Sequence, residues 1–247
     1  MVLTTASMSP PPAARVHVVT SAISAEYQDY LVHWALSVDG LVEKPDTVTI
    51  ALGEHGRSTD LVVRQVTHFL PGARIIRVED TSRWEAHPPT FVNHAILSTP
   101  MDGRDWVAKL DADDRAHYDW LTGIRDEPAD VWMCGLTWVE QHPNTPFQLR
   151  HPEMDMPPRR FVTAEGVLDA AREGRNLIWS CSPFRRWLWD ANPFQAKPGE
   201  DWQFWVDAAK RGATFTAAEG AYYFYHRHPG QLSEKSTDAQ MRAGLTL

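Results

Sequence analysis

Cysteine is nearly absent from this sequence: 247 residues contain two, Cys134 and Cys181, far apart and in no CxxC spacing. That excludes a disulfide framework and a cysteine-rich zinc module, and it fits a reducing, cytoplasmic setting. Positive charge is also short. Against 32 acids stand 24 lysines and arginines, a formal net charge of −8, which is the wrong sign for a generic polyanion binder. No run reaches the ~18 apolar residues that a membrane span requires. The Ser/Thr/Pro-rich start, Met1 to Ala14, has neither a basic beginning nor an apolar middle. The expectation is a soluble chain with a flexible tail over 1–14 and no secretory signal.

What is present is an alternation of strand and helix patterns. Arg15 to Thr20 reads as a buried strand, and Thr47 to Leu52, Arg74 to Glu79 and Trp106 to Leu110 as three further strands. Between them, Glu26 to Val38, Ser58 to Leu70 and Thr90 to Ser98 place apolar residues at helical spacing. This alternation predicts an α/β fold with a mainly parallel sheet. Beyond residue 128 the pattern shifts. A long strand is expected over Ala129 to Val139, a helix over Thr163 to Glu173, and a strand over Asn176 to Cys181. An amphipathic helix over Gly199 to Arg211 and a final strand over Ala221 to Tyr225 complete the reading. The division is therefore 15–128 and 129–247, two halves of one domain.

Three acidic or imidazole clusters stand out. Asp111, Asp113 and Asp114 follow the fourth strand directly, where open α/β sheets place their ligand crevice. Carboxylates there can hold a hard divalent cation against a phosphate, although the same triplet also suits a solvated turn or helix cap. Glu200 and Asp201 open a helix, where acids offset the dipole by ~0.3–1 kcal/mol without further function, or accept a proton from an attacking hydroxyl. His226 and His228, two apart, share a face of an extended strand and could ligate a cation. Among the tryptophans, Trp179 and Trp202 are candidates to stack on an acceptor sugar, although most of this residue type is expected in the core.

In sequence order the chain carries Val18-Val19-Thr20-Ser21, then Leu110-Asp-Ala-Asp-Asp114, then Pro193 to Trp205 (PFQAKPGEDWQFW), then Tyr222 to Ser233 (YYFYHRHPGQLS). With these motifs it resembles the family 2 glycosyltransferases of the GT-A fold, from about Val16 to Ser233. The resemblance implies a GT-A-type, Rossmann-like, mainly parallel central sheet flanked by helices, with a smaller acceptor-side subregion at the C-terminal end. It also implies transfer of a sugar, with inversion, from a nucleoside-diphosphate sugar to an acceptor hydroxyl, assisted by Mn2+ or Mg2+. By resemblance Asp111 lies near the ribose, and Asp113 and His228 hold the metal. Asp201 is the general base, with Glu200 supporting it or contacting the acceptor. Thr20, Glu54 and Asn93 join the donor-binding set. The family's acid after the second strand has Glu54 or Asp60 as its stand-in, and its Arg-Asn pair is represented by Val92-Asn93.

Two rivals compete. A sugar nucleotidyltransferase would carry a Gly-rich, basic loop after the first strand, where this chain has Thr20-Ser-Ala-Ile-Ser-Ala25. A non-catalytic glycan- or nucleotide-binding protein on a transferase scaffold would explain the altered Gly53–Asp60 segment. The acceptor is expected to be anionic, whether a charged glycan, a lipid phosphate or a modified nucleic acid. Residues 147–186 hold seven arginines and five acids within an acidic chain.

Overall fold

Alternation along the first strand decides the layering. In β1 (Val16–Ala22), Val16 and Val18 point to one face and His17 and Val19 to the other, and all are buried. A strand buried on both faces needs helices on both. A computed structural model, which describes residues 13–79, 88–140, 162–197, 199–228 and 245–246, supplies them. Helices α1 (Ala25–Asp39) and α2 (Arg57–Phe69) cover the first face, where Leu31, Trp34 and Val62 meet Val16, Val18, Ile50 and Trp106. On the second face α3 (Pro88–Ser98), α5 (Arg186–Ala191) and α6 (Glu200–Lys210) bring Phe91, Leu188 and Trp205 against Val19, Ala51 and Val107.

One sheet runs through both halves of the chain. Strands β3 (Arg74–Val78), β2 (Thr47–Gly53), β1 and β4 (Trp106–Lys109) are parallel neighbours in that order. The two-residue β7 (Phe184–Arg185) is antiparallel to β4 and to β6 (Val131–Glu140). Beyond β6 lies the parallel β8 (Phe215–Arg227), and β5 (Arg115–Ala116) closes the edge antiparallel to it. The sheet is thus mainly parallel. Helix α4 (Ala164–Arg172) packs on α6, with Ala171 against Trp202 and Val206. Among the described residues no helix is long and apolar enough to cross a membrane.

Two elements differ from their sequence reading. Asn176 to Cys181 is a turn rather than a strand. Asn176 Oδ1 accepts from the Ile178 N–H at 3.2 Å, and the Trp179 carbonyl accepts from the Ser182 N–H at 3.0 Å. Such local bonds compete with a strand ladder, and the place in the sheet passes to Phe184–Arg185. The final strand begins at Phe215, well before Ala221, because Phe215 to Ala217 already pair with Val131 to Met133, before the register shifts between Met133 and Gly135. Gly220, at φ 78°, adopts the left-handed conformation within that irregularity. The expected tail over 1–14 lies outside the described residues except for Ala13 and Ala14.

Candidate active site

Strand β4 ends at Lys109, and the chain turns through the acidic triplet, closed by the Asp114 N–H donating to the Asp111 carbonyl at 3.0 Å. Because β1, β2 and β4 are parallel, this turn lies on their carboxyl rim. The buried Gln28 ties that rim together. Its amide donates to the Gly53 carbonyl at 2.6 Å, and its Oε1 accepts from the Thr59 hydroxyl at 3.0 Å.

The turn feeds β5, which pairs Arg115 with Phe224. That register carries the end of β8 back across the triplet. The His226 N–H donates to Asp114 Oδ1 at 3.1 Å, and His228 Nε2 stands 3.1 Å from Asp113 Oδ2. Asp113 and His228 are each about 5% exposed, and they come together across 115 positions of sequence. Two α1 rings complete this wall, with Tyr30 5.0 Å and Tyr27 6.0 Å from the His228 ring. Burial, followed by the charge of Asp113, holds the Tyr30 phenol above its ordinary range. Burial and the neighbouring Arg115 push His226 down to about 4, so its imidazole is neutral at pH 7.

The other two triplet carboxyls meet a thiol. Asp114 Oδ2 accepts from Cys181 at 3.5 Å, and Asp111 Oδ2 accepts from the Ser180 hydroxyl at 3.4 Å. One ligand atom from each of Asp111, Asp114 and Cys181 lies within 4.8 Å of the others. Asp114 is fully buried. Burial, and then the charges of Asp113 and Asp111, raise its carboxyl well above the usual range. Crowded acids that ionise reluctantly are what a divalent cation relieves. The carboxylates, with the imidazole, suit such an ion, whereas Cys181, which burial keeps as a thiol, is not a ligand for a hard cation.

Glu200 and Asp201 approach from the second face. Their helix starts after Gly199, whose φ of 70° makes the sharp entry and which offers no capping side chain. The two acids therefore meet the positive end of α6 themselves. Both are half-buried. Burial, then Asp201, pushes Glu200 up to about 8, and burial also raises Asp201 while Lys109 pulls it back. Lys109 is 6% exposed, with its Nζ 2.7 Å from Asp111 Oδ1. Sequence reading passed over Lys109, Cys181, Tyr27 and Tyr30. The signal for Lys109 was a charged residue inside an apolar strand, two positions before an aspartate.

The remaining sequence candidates are placed differently. Asn93 is engaged at both ends of its amide, donating to the Phe194 carbonyl at 2.9 Å and accepting from Trp189 Nε1 at 2.7 Å. It joins α3 to α5 and to the segment after it, so its amide is taken up by the helix interface. Trp202 is buried between α4 and α6, so it has no open face for a sugar. Trp179 is half-buried against the first core and keeps part of its surface open. Thr20 is 1% exposed, with its hydroxyl buried and unbonded among the described residues. It lies under the rim rather than on it. Glu54 and Asp60 both pair with Arg77, at 3.1 and 2.7 Å. Residues 147–161, with three of the arginines counted for the acceptor side, and the end of the last motif, 229–233, lie outside the described residues.

No known family pattern matches this sequence, and no curated protein matches it. Solved structures do. S. aureus TarS 1-349 in complex with UDP is 17% identical, with a TM-score of 0.62 over 87% of this chain and 61% of that one. The mannosyltransferase PcManGT from Pyrobaculum calidifontis, in complex with GDP-Man and Mn2+, is 16% identical. Its TM-score is 0.54 over 91% of this chain and 60% of that one. Glucosyl-3-phosphoglycerate synthase from Mycobacterium tuberculosis, with Mn2+, UDP and phosphoglyceric acid, is 16% identical. Its TM-score is 0.56 over 94% of this chain and 80% of that one. The chain thus spans about 60% of the length of the first two of these structures. At such identities the likeness shows the fold, which is the GT-A type of the glycosyltransferases, as the sequence motifs implied.

Proposed function

We propose that this chain is a glycosyltransferase that moves a sugar, with inversion, from a nucleoside-diphosphate sugar to an acceptor hydroxyl. The observation that carries the reading is the meeting of Asp113 and His228 on the carboxyl rim, in the same acidic turn whose Asp111 is felt by Glu200 and Asp201 at the start of α6. Asp113 and His228 would hold Mn2+ or Mg2+, with Asp111, Asp114 and Cys181 adjoining. The ion, when bound, offsets negative charge on the departing diphosphate. Asp111, nearest the strand, faces the ribose, and the half open to α1 and β2 (15–128) takes the nucleotide. The 129–247 half takes the acceptor, with Trp179 as its stacking ring.

Asp201 accepts the proton of the acceptor hydroxyl as that oxygen attacks the anomeric carbon from the side opposite the diphosphate. A single displacement of this kind inverts the configuration. Glu200, whose carboxyl keeps a proton near neutrality, donates a hydrogen bond beside Asp201 instead of competing for the same proton. An anionic acceptor is consistent with the arginines of 147–186. The buried free thiols of Cys134 and Cys181 fit work in the cytoplasm.

A thermal-shift panel of UDP, GDP, CDP and ADP, each with and without Mn2+, tests the donor side. One nucleotide is expected to raise the melting temperature only with the cation. Asp201→Asn should keep that shift while lowering turnover by about 100-fold or more. A binding protein on a transferase scaffold would give the shift without releasing nucleoside diphosphate from the matching sugar donor. Absence of a shift with every nucleotide would remove the reading.

A further inference from the structure

Gln203, in the first turn of α6, is buried, and its amide uses every hydrogen-bonding position it has. Its Oε1 accepts from Lys197 Nζ at 3.0 Å and from the Thr246 N–H at 2.7 Å. Its Nε2 donates to Asp207 Oδ1 at 2.8 Å and to the Thr246 carbonyl at 3.3 Å. A carboxamide offers two acceptor and two donor positions. Half of them go to the backbone of one residue 43 positions along the chain. The same Thr246 carbonyl accepts from Lys210 Nζ at 2.7 Å. Next to it, Leu245 packs against Ala171, Trp202 and Val206 in the groove between α4 and α6. An apolar anchor beside paired main-chain bonds is how a fold recognises an extended peptide.

Resting on the sugar-transfer reading, we propose that the α4–α6 groove is a docking surface for this chain's own Leu245–Thr246 segment, and that Gln203 is the positioning residue through which the docking holds Glu200 and Asp201 in place. The link to those acids is the helix itself. The Gln203 N–H donates to the Gly199 carbonyl at 2.9 Å and closes the turn on which both acids stand. Gly199 brings no capping side chain, and a helix start without one frays readily. Gln203 supplies the missing brace. Through Lys197 it holds the loop before the helix, and through Asp207 the helix one turn on. Asp207 in turn accepts from the Asn192 amide, beyond α5. Withdrawing Leu245–Thr246 leaves a buried amide with half its partners gone and uncovers part of Trp202 and Val206, so the first turn is free to open. A base that attacks one hydroxyl proton tolerates little displacement.

Three variants of the whole chain separate the contacts. Thr246→Pro removes the N–H that Gln203 Oε1 accepts, and Leu245→Asp removes the apolar anchor. Thr246→Val keeps both, because Gln203 and Lys210 bond only the Thr246 backbone. The first readout needs neither donor nor acceptor: amide hydrogen exchange at Gln203 and Phe204. Thr246→Pro and Leu245→Asp are expected to exchange about tenfold faster there, the equivalent of one buried hydrogen bond, and Thr246→Val to match the parent. The second readout is kinetic. In the first two variants kcat should fall by about tenfold or more while KM for the donor stays near that of the parent, since the nucleotide is held by the other half. Unchanged exchange in Thr246→Pro and Leu245→Asp would overturn the docking, even if sugar transfer is established. Faster exchange with kcat unchanged would overturn the positioning role. Protection that grows with protein concentration would place a second copy's segment in the groove and overturn the assignment to this chain's own. If exchange quickens but no nucleotide binds the parent, the sugar-transfer reading fails while the docking stands. Should Leu245→Asp not fold, Thr246→Pro carries the same measurements, with the same outcomes.

Discussion

Replacing Glu200 by glutamine should make the protein more stable at alkaline pH, and the gain should be absent in acid. Glu200 opens α6 beside Asp201, and burial followed by that neighbour lifts its carboxyl to about 8 from an ordinary 4.5. Between those values the folded chain keeps a proton that the unfolded chain releases, so stability falls as pH rises through this window. At about 1.4 kcal/mol per pKa unit, the displacement sets a ceiling of about 5 kcal/mol on the penalty above pH 8. Glu200 is half-buried, and water on its open side screens part of that. The expected penalty is about 1–3 kcal/mol. Glutamine cannot ionise and has nearly the same shape, so it escapes the penalty. Urea unfolding at about pH 4, below the window, and about pH 8.5, above it, reads the difference. The two proteins should match in acid, and Glu200→Gln should be ahead by about 1–3 kcal/mol in base. An advantage that is equal at both pH values, or larger in acid, would refute the assignment of a buried, proton-retaining carboxyl here.

Three further outcomes follow from the geometry. Asp113→Asn should weaken Mn2+ binding, read by electron paramagnetic resonance, by at least about tenfold, the loss common even for residues around the ligands of a metal. Asp105 accepts from the Arg15 N–H, the Arg15 guanidinium and the Asp102 N–H, and it faces His17 Nε2 at 3.2 Å, all at the opposite rim. Asp105→Ala should cost about 2–4 kcal/mol in urea unfolding by stranding those donors, and it should leave the nucleotide-dependent thermal shift intact. Trp202→Ala should cost about 3–5 kcal/mol as a core truncation, again with the nucleotide shift retained. A Trp202 variant of parental stability would show that the ring is not packed between α4 and α6.

The first four strands were legible because β1, β2 and β4 are short apolar runs buried on both faces, while β3, though largely exposed or half-buried, keeps its β-branched pair Ile75-Ile76 between arginines. The carboxyl-rim position of Asp111 followed from them directly. Legibility ended where local chemistry competes with the ladder. Leu177, Ile178 and Trp179 look like strand residues, but Asn176 and Ser182 bond within the turn and keep that stretch off the sheet. The two-residue β5 and β7 are too short to leave a periodic trace, yet β5 is what aligns His228 with Asp113. Trp202 was misplaced for a related reason. A tryptophan on the apolar face of a helix serves packing or stacking equally well in sequence, and α4, far away in the chain, decides for packing. Lys109 was missed because a lysine at a strand end ordinarily reads as surface, and its burial depends on α6, about ninety positions later.

The two rims of the sheet make a contrast that bears on which of them performs chemistry. The amino rim has a cavity of about 480 Å3 lined in part by Arg15, Asp105, Asp130 and Arg185. Its charges are satisfied within the fold, by each other or by neutral hydrogen-bonding groups. Asp105 gathers donors from Arg15 and Asp102, and Asp130 accepts from Trp187 Nε1 and from the Thr214 N–H and hydroxyl. Arg185 donates to the carbonyls of Ala129, Arg104 and Glu127. Its carboxylate Asp105 is accordingly held below the usual range, since Arg15 and the Asp102 N–H outweigh the effect of burial. The carboxyl rim is the reverse. Asp111, Asp113, Asp114, Glu200 and Asp201 gather there around the cations of Lys109 and Arg115, and Asp114 and Glu200 are pushed upward. A structural network settles its charges within the fold, as the amino rim does. A surplus of buried acid at the mouth of a parallel sheet is stable only with protons or a bound cation, and on that imbalance rests our proposal that the carboxyl rim is the reactive one.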